Sequence, residues 1–156
     1  MLVRGSEQMD RNTVTDTVRR PRRYEPFTSR TTDRPISRLG QWPCKLDMLP
    51  DSAPYLDDAD LLIASDCSAF AYGDFHNRFI KGHITVIGCP RHDALSYKNK
   101  LASLLRENSI RSLRIVRMEV GCCDGIESAV KAALKQSGKD IPLEVITVTT
   151  DGNIAE

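Results

Sequence analysis

The sequence contains no long run of apolar residues, which excludes a membrane-spanning helix. Such a helix needs about 20 consecutive, predominantly apolar residues, and no window of the chain approaches that length. Residues 1–12 also lack the apolar stretch of a secretory signal. The 156 residues are 40% hydrophobic and 28% charged, an ordinary composition for a globular protein. We therefore expect a cytoplasmic protein with one domain and a tail.

The sequence also lacks the short motifs of common enzyme classes. It contains neither glycine-rich nucleotide loop, GxGxxG or GxxxxGK followed by Ser or Thr, and no GxSxG nucleophile motif. No pair of carboxylates lies in a recognisable acid–base context. These absences favour an electron-transfer component over a self-sufficient enzyme, and they leave the question of catalysis open.

The amino-terminal segment, residues 1–39, is basic and has almost no apolar periodicity. Residues 1–38 contain nine arginines against five acidic residues. This composition predicts a weakly ordered tail outside the domain. Its charge would attract an acidic redox protein, whereas the lack of interleaved aromatic residues argues against nucleic acid as a partner. Association between copies of the chain is left open.

From residue 40 onward, apolar runs alternate with amphipathic segments. Four short runs rich in Ile, Val and Leu predict buried strands at residues 59–65, 83–88, 113–120 and 143–150. Helical patterns lie between them, at residues 94–108 after a possible N-cap at Asp93, and in a segment that ends at Gly138. A shorter helix is expected near residues 74–80. The sequence therefore predicts an α/β domain, residues 40–156, with a mainly parallel sheet of about four strands and flanking helices.

Four of the five cysteines follow directly after predicted strands. Cys67 follows the first strand, Cys89 the second, and Cys122 and Cys123 the third. Because the carboxyl ends of parallel strands meet at one edge, about 4.8 Å apart between neighbours, these thiols are expected to gather there. Inert core cysteines would instead fall anywhere along the strands. The placement therefore favours a shared site.

The chemistry of four thiolates suits a 4Fe-4S cluster or a closed zinc site. The wide spacing of these cysteines matches neither a zinc ribbon nor the CxxCxxC run of ferredoxins. Zinc remains an alternative because Cys89 and His92 form a CxxH half-site, with His76 as a further candidate; either histidine could equally be a surface imidazole. A third alternative is a thiol oxidoreductase that uses Cys122 and Cys123 as attacking and resolving thiols.

Two resemblances lie in these residues. Residues 61–95, LLIASDCSAFAYGDFHNRFIKGHITVIGCPRHDAL, resemble the cluster-binding region of the terminal-cluster subunit of NADH-quinone oxidoreductase and of nickel-iron hydrogenase small subunits. In those proteins a tandem cysteine pair precedes the two motifs, whereas here the pair follows them. Residues 41–155, with QWP, DC, FAYGDFH, IGCP, RMEVGCC and TDG, resemble the C-terminal domain of 4Fe-4S ferredoxin-like proteins.

The second resemblance implies a ligand set. Its shared cysteines are Cys67, Cys89, Cys122 and Cys123, which would hold one 4Fe-4S cluster as metal ligands, and Cys44 is left as a spare. The FAYGDFH segment is expected to supply an apolar wall beside the cluster through Phe70, Tyr72 and Phe75. The expected function is electron transfer with a redox protein partner.

Overall fold

A four-stranded sheet forms the centre of the structure, a computed structural model that describes residues 35–155 apart from the side chains of residues 94–96. The strands are β1 (Ala59–Ser65), β2 (Ile84–Gly88), β3 (Ile110–Met118) and β4 (Leu143–Val148). They are arranged in the order β2-β1-β3-β4, and every pair is parallel. The predicted α/β fold with a parallel sheet is confirmed.

The helices lie in the connections between strands, as the alternating pattern predicts. A short helix, α1 (Ser68–Ala71), and a π-helical turn, His76–Ile80, connect β1 to β2. Helix α2 (Ala94–Glu107) connects β2 to β3, and α3 (Asp124–Ser137) connects β3 to β4. Among the described residues, no helix has the length and apolar character that crossing a bilayer requires.

Each face of the sheet carries its own apolar core, since successive side chains on a strand point to opposite faces. On one face, Leu61 and Ile63 of β1 pack in a cluster with residues of α2 and α3. On the other face, Leu62 and Ala64 pack in a cluster with residues of the crossover 68–82. Burial on both faces explains why β1 is a continuous apolar run in the sequence. The expected burial of β4 is wrong at Glu144 and Val145, which are exposed on this edge strand.

Helix α3 ends where the sequence predicts. Gly138 adopts the left-handed conformation, with φ of 71°, that terminates many helices. Helix α2 ends one residue earlier than expected, because the buried Asn108 leaves the helix. Its side-chain amide donates hydrogen bonds to the carbonyls of Leu104 and Asp51, both at 2.7 Å.

The sequence prediction placed the start of β3 three residues too late. The strand begins at Ile110, although Arg111 and Ser112 interrupt its apolar run. Both side chains bind the carboxylate of Asp60 on β1, with distances of 2.5 Å from Arg111 Nη2 and 2.6 Å from Ser112 Oγ. Polar residues are therefore accommodated in the strand by a partner on its neighbour.

The crossover 68–82 differs in one respect from the expected apolar wall. Phe75 is buried, and both its ring and that of Tyr72 lie 5.1 Å from the ring of Phe79. Phe70, however, is 93% exposed, so its expected place in the wall is wrong. It lies on the outward side of a four-residue helix, which is too short for sequence periodicity to orient.

The boundary predicted after residue 39 stays a prediction, because residues 1–34 lie outside the described part of the chain. Within the described residues, Arg38 already contacts the domain. Its backbone N–H donates to His76 Nδ1 at 3.1 Å, and its Nε donates to Asn77 Oδ1 at 3.0 Å.

The Asp60–Arg111 ion pair predicts a pH-dependent contribution to stability. Hydrogen bonds from Arg111, which contributes most, and from Ser112 lower the pKa of the Asp60 carboxyl from 3.8 to about 2. A depressed folded-state pKa stabilises the fold above the unfolded value, and this contribution is lost as the pH falls toward the folded value. We expect Asp60→Asn to lower the melting temperature at neutral pH, and the difference from wild type to shrink between about pH 4 and about pH 2. Thermal denaturation of both proteins across this pH range measures the difference in melting temperature. A difference that does not change with pH would contradict the prediction.

Candidate functional site

The register of the sheet places the exits of β1, β2 and β3 side by side. Ser65 and Gly88, the last residues of β1 and β2, are paired, so Cys67 and Cys89 follow neighbouring positions. On the other side of β1, Ala64 pairs with Val116, and β3 ends two residues later. The four cysteines predicted to share an edge therefore do follow three adjacent strand ends. We refer to Cys67, Cys89, Cys122 and Cys123 as the strand-exit site.

This edge also contains the point at which the order of the strands reverses. The chain passes from β1 to β2 on one side of β1, and then returns across it to β3 on the other side. In open α/β sheets such a switch point opens a crevice between the loops that follow the two strands, where ligands commonly bind. Here those loops carry Cys67 on one side and the adjacent cysteine pair on the other.

The four thiols are free and differ in exposure. Cys67 and Cys122 are exposed, Cys89 is half-buried, and Cys123 is 4% exposed. Such a range would give a bound group an open side through Cys67 and Cys122 and a sheltered side at Cys123.

The adjacent cysteines interact because they lie beyond the strand. Gly121–Cys123 forms a single helical turn, closed by a hydrogen bond of 2.9 Å from Cys123 N–H to the Val120 carbonyl. The Cys122 and Cys123 side chains interact there, whereas neighbouring side chains on a strand would point apart. Burial raises the pKa of Cys123, and the charge of Cys122 adds to the effect. The Cys123 thiol is therefore protonated at neutral pH.

A charged cluster, the Lys45 clamp (Lys45, Asp66 and Asp93), ties the loops of this edge together. Lys45 Nζ lies 2.8 Å from Asp66 Oδ2 and 2.8 Å from Asp93 Oδ2. Asp93 Oδ2 also accepts a hydrogen bond of 2.8 Å from the backbone N–H of Cys89. The clamp thus connects the segment before β1 with the loops that carry Cys67 and Cys89.

The pKa values of the clamp favour its ionised form. Burial opposes the charge on Lys45, but the two carboxylates outweigh it and raise the pKa of the amine. Burial likewise opposes the charge on Asp93, but Lys45 and the Cys89 N–H together lower the pKa of its carboxyl. Sequence reasoning missed Lys45 and Asp66, and it took Asp93 only for an N-cap.

Cys44 also lies nearer the edge than its sequence position suggested. Its carbonyl accepts a hydrogen bond of 2.8 Å from the N–H of Ile87, so the backbone runs beside β2 close to its end. The side chain is half-buried. Its expected role as a spare thiol stays a prediction.

A buried hydroxyl lies beneath the strand exits. Tyr97, in the first turn of α2, is 1% exposed, and its hydroxyl has no hydrogen-bond partner in the described part of the chain. Burial raises its pKa, and the nearby charges of Asp66, Asp93, Cys89 and Cys123 add to the effect. An unsatisfied buried hydroxyl costs about 1–3 kcal/mol. The sequence pattern identified Tyr97 only as a core position.

The histidine candidates are placed less favourably for zinc. His76 accepts a hydrogen bond through Nδ1, and His92 is exposed beside Cys89. In the described part of the chain, no three His, Cys, Asp or Glu side chains converge as ligands of a single ion. A CxxH half-site completed by further ligands therefore finds no support in the side-chain placement.

The donor set is suited to a larger group. Thiolates are the ligands of iron–sulfur clusters, and a four-iron cluster takes one thiolate at each of its four irons. The four ligands of a cluster therefore lie further apart than the four ligands of a single ion. The edge supplies four thiols from three loops. Their chemistry matches that of cluster ligands, although in the described part of the chain these side chains do not converge as a metal-binding group.

Comparisons with known proteins identify the domain and leave its chemistry open. Residues 53–156 match a family described as Rossmann-like domain. A protein of Archaeoglobus fulgidus, described as an uncharacterized protein, is 29% identical over 120 residues, which cover 76% of this chain and 84% of that protein. No solved structure matches the chain significantly. The family match includes all four thiols of the strand-exit site and begins after Lys45.

Proposed function

The chain belongs to the Rossmann-like domain family, and we propose that, within this fold, it is an electron-transfer protein or redox-complex subunit that holds one 4Fe-4S cluster at the strand-exit site. The observation that carries the proposal is the register, which aligns the ends of β1, β2 and β3 so that four thiols follow adjacent positions. When bound, the cluster would accept and release single electrons.

The protein's own residues would bind, orient and shelter that group. Cys67, Cys89, Cys122 and Cys123 would be the ligands. The Lys45 clamp would fix two of the ligand loops, since its carboxylates lie directly before Cys67 and on the backbone N–H of Cys89. The buried Cys123 would exclude water from one side, and the exposed Cys67 and Cys122 would leave the other side open to a redox protein partner.

Iron content tests the ligand set. The protein, purified and reconstituted without oxygen, should be brown and contain about four irons per chain. Replacement of Cys67, Cys89, Cys122 or Cys123 by serine should lower the iron content sharply, because a hydroxyl is a poor iron ligand. Cys44→Ser is the matched control and should keep the wild-type content. Iron and sulfide analysis measures both.

The contrary outcomes separate the alternatives. A colourless protein with one zinc per chain would identify a zinc-stabilised interaction module. A metal-free protein with two rapidly reacting thiols would identify a thiol oxidoreductase using Cys122 and Cys123. Loss of iron in Cys44→Ser alone would overturn the ligand assignment.

A further inference from the structure

The two edges of the sheet differ in how far their backbone is covered. β2 forms one edge, and the segment before β1 binds its outward groups. The N–H of Ile87 donates to the Cys44 carbonyl at 2.8 Å. The Gln41 side-chain amide accepts a hydrogen bond from the Thr85 N–H at 3.4 Å and donates one to the Thr85 carbonyl at 2.5 Å. Because an open strand edge can pair with another extended chain, proteins usually cover it in some such way.

β4 forms the other edge, and part of its backbone is open. The Pro142 carbonyl accepts a hydrogen bond of 2.9 Å from β3, so the alternating residues Leu143, Val145 and Thr147 direct their backbone groups outward. The segment after β4 covers the last of these, since the Ala155 N–H donates to the Thr147 carbonyl at 2.9 Å. Within the described residues, Leu143 and Val145 have no backbone partner on their outward side.

A groove of about 380 Å³ lies beside this open backbone, and we call it the β4 groove. Its lining consists of Arg78 from the crossover, Glu144–Thr147 from β4, and Ile154 and Ala155 from the segment after β4. Val145 is 36% exposed, so apolar surface is available next to the free backbone groups. Extended peptides bind such edges as an added strand, with backbone hydrogen bonds giving affinity and side-chain contacts giving specificity.

The free charge of the β4 groove is positive. Arg78 is exposed, and no side chain in the described part of the chain is bonded to its guanidinium. The other charged residue of the lining, Glu144, is already bound by Arg114, with a distance of 2.6 Å between Oε2 and Nε. A guanidinium pairs well with a carboxylate through charge-assisted hydrogen bonds. The groove is therefore complementary to an extended segment that carries an acidic side chain.

We propose that the β4 groove binds an extended acidic peptide segment of another protein, which adds a strand beside Val145 and places a carboxylate on Arg78. A second copy of this chain is a poorer occupant, because the carboxylate that its own β4 would bring, Glu144, is held by Arg114. The inference is independent of the proposed function, since the loop after β4 carries none of the four thiols of the strand-exit site.

Peptide selection tests the inference. Random decapeptides displayed on phage and selected on the full-length protein should yield β-branched sequences that contain an acidic residue. A fluorescent synthetic copy of the strongest selected peptide is then the probe, and fluorescence anisotropy measures its binding. Arg78→Gln should weaken the binding about tenfold, because a hydrogen bond to a charged group is lost. Arg91→Gln is the matched control: Arg91 is exposed and lies outside the groove, so the binding should stay that of wild type.

Val145→Pro separates strand addition from simple charge attraction. Proline lacks the N–H that Val145 directs outward, and this substitution leaves the hydrogen bonds between β4 and β3 in place. Binding of the probe should be lost in this variant. The amide of Val145 in the wild-type protein gives an independent measurement that does not depend on how the variant folds. Its exchange with solvent, followed by nuclear magnetic resonance, should slow when the probe is bound.

Three results would overturn the inference. The first is a selection in which no peptide is enriched above background. The second is a probe that binds Arg78→Gln as tightly as wild type, or that leaves the exchange of the Val145 amide unchanged. The third is a wild-type dimer that Val145→Pro converts to a monomer, which would assign the groove to a second copy of the chain.

Discussion

Replacing Phe79 with alanine should lower the free energy of unfolding by about 3–5 kcal/mol, the range typical of a fully buried aromatic side chain. Phe79 is 0% exposed, and its ring centroid lies 5.1 Å from those of both Tyr72 and Phe75. The three rings belong to the crossover 68–82 and cover one face of the sheet. Equilibrium urea denaturation measures the loss.

Phe70→Ala is the matched control, since it removes the same side chain from the same crossover. Because Phe70 is 93% exposed, the free energy of unfolding should change by no more than about 0.5 kcal/mol. Similar losses in the two variants would mean that Phe70 is covered in solution, and would contradict the burial described here.

Gly88→Ala should destabilise the protein by about 1–3 kcal/mol, as expected when a carbon is forced into a packed core. The added methyl would overlap the ring of Tyr97, which is buried and held at the start of α2. Relief requires the end of β2 to move, and Cys89 is the next residue. We therefore expect the iron content of reconstituted protein to fall together with the unfolding free energy.

Gly73→Ala provides the comparison for this substitution. Within the described part of the chain, no atom beyond Gly73 and its two chain neighbours lies within 4 Å of the position that its methyl would occupy. Its stability should match wild type or exceed it slightly, because alanine restricts the unfolded chain. If Gly88→Ala is as stable as Gly73→Ala, the packing of Tyr97 against β2 is wrong.

The strands could be predicted because each carries its own signal. β1 is buried on both faces, so its apolar run coincides with the observed Ala59–Ser65. The start of β3 could not be found in this way, because Arg111 and Ser112 are polar and belong to the strand only through Asp60 on its neighbour. The local sequence pattern therefore fails to predict a strand where its polar residues are stabilised by a partner far away in the sequence.

The same distinction applies to the site. The common edge of the cysteines follows from topology alone, because each one comes after a strand of a parallel sheet. The Lys45 clamp depends on side chains 21 and 48 residues apart, and no spacing rule relates them. Tyr97 shows only the helical periodicity of a core residue in the sequence. Its contact with the end of β2 and its unpaired hydroxyl are properties of the folded structure.

The alignment of three strand exits also sets an order of events in the making of the protein. In ferredoxins with a CxxCxxC run, several ligands lie within a few residues of one another in the sequence. Here the thiols lie on loops after three different strands and become neighbours only when β1 has paired with both β2 and β3. The proposed cluster, held by all four thiols, would therefore be inserted after the sheet has formed.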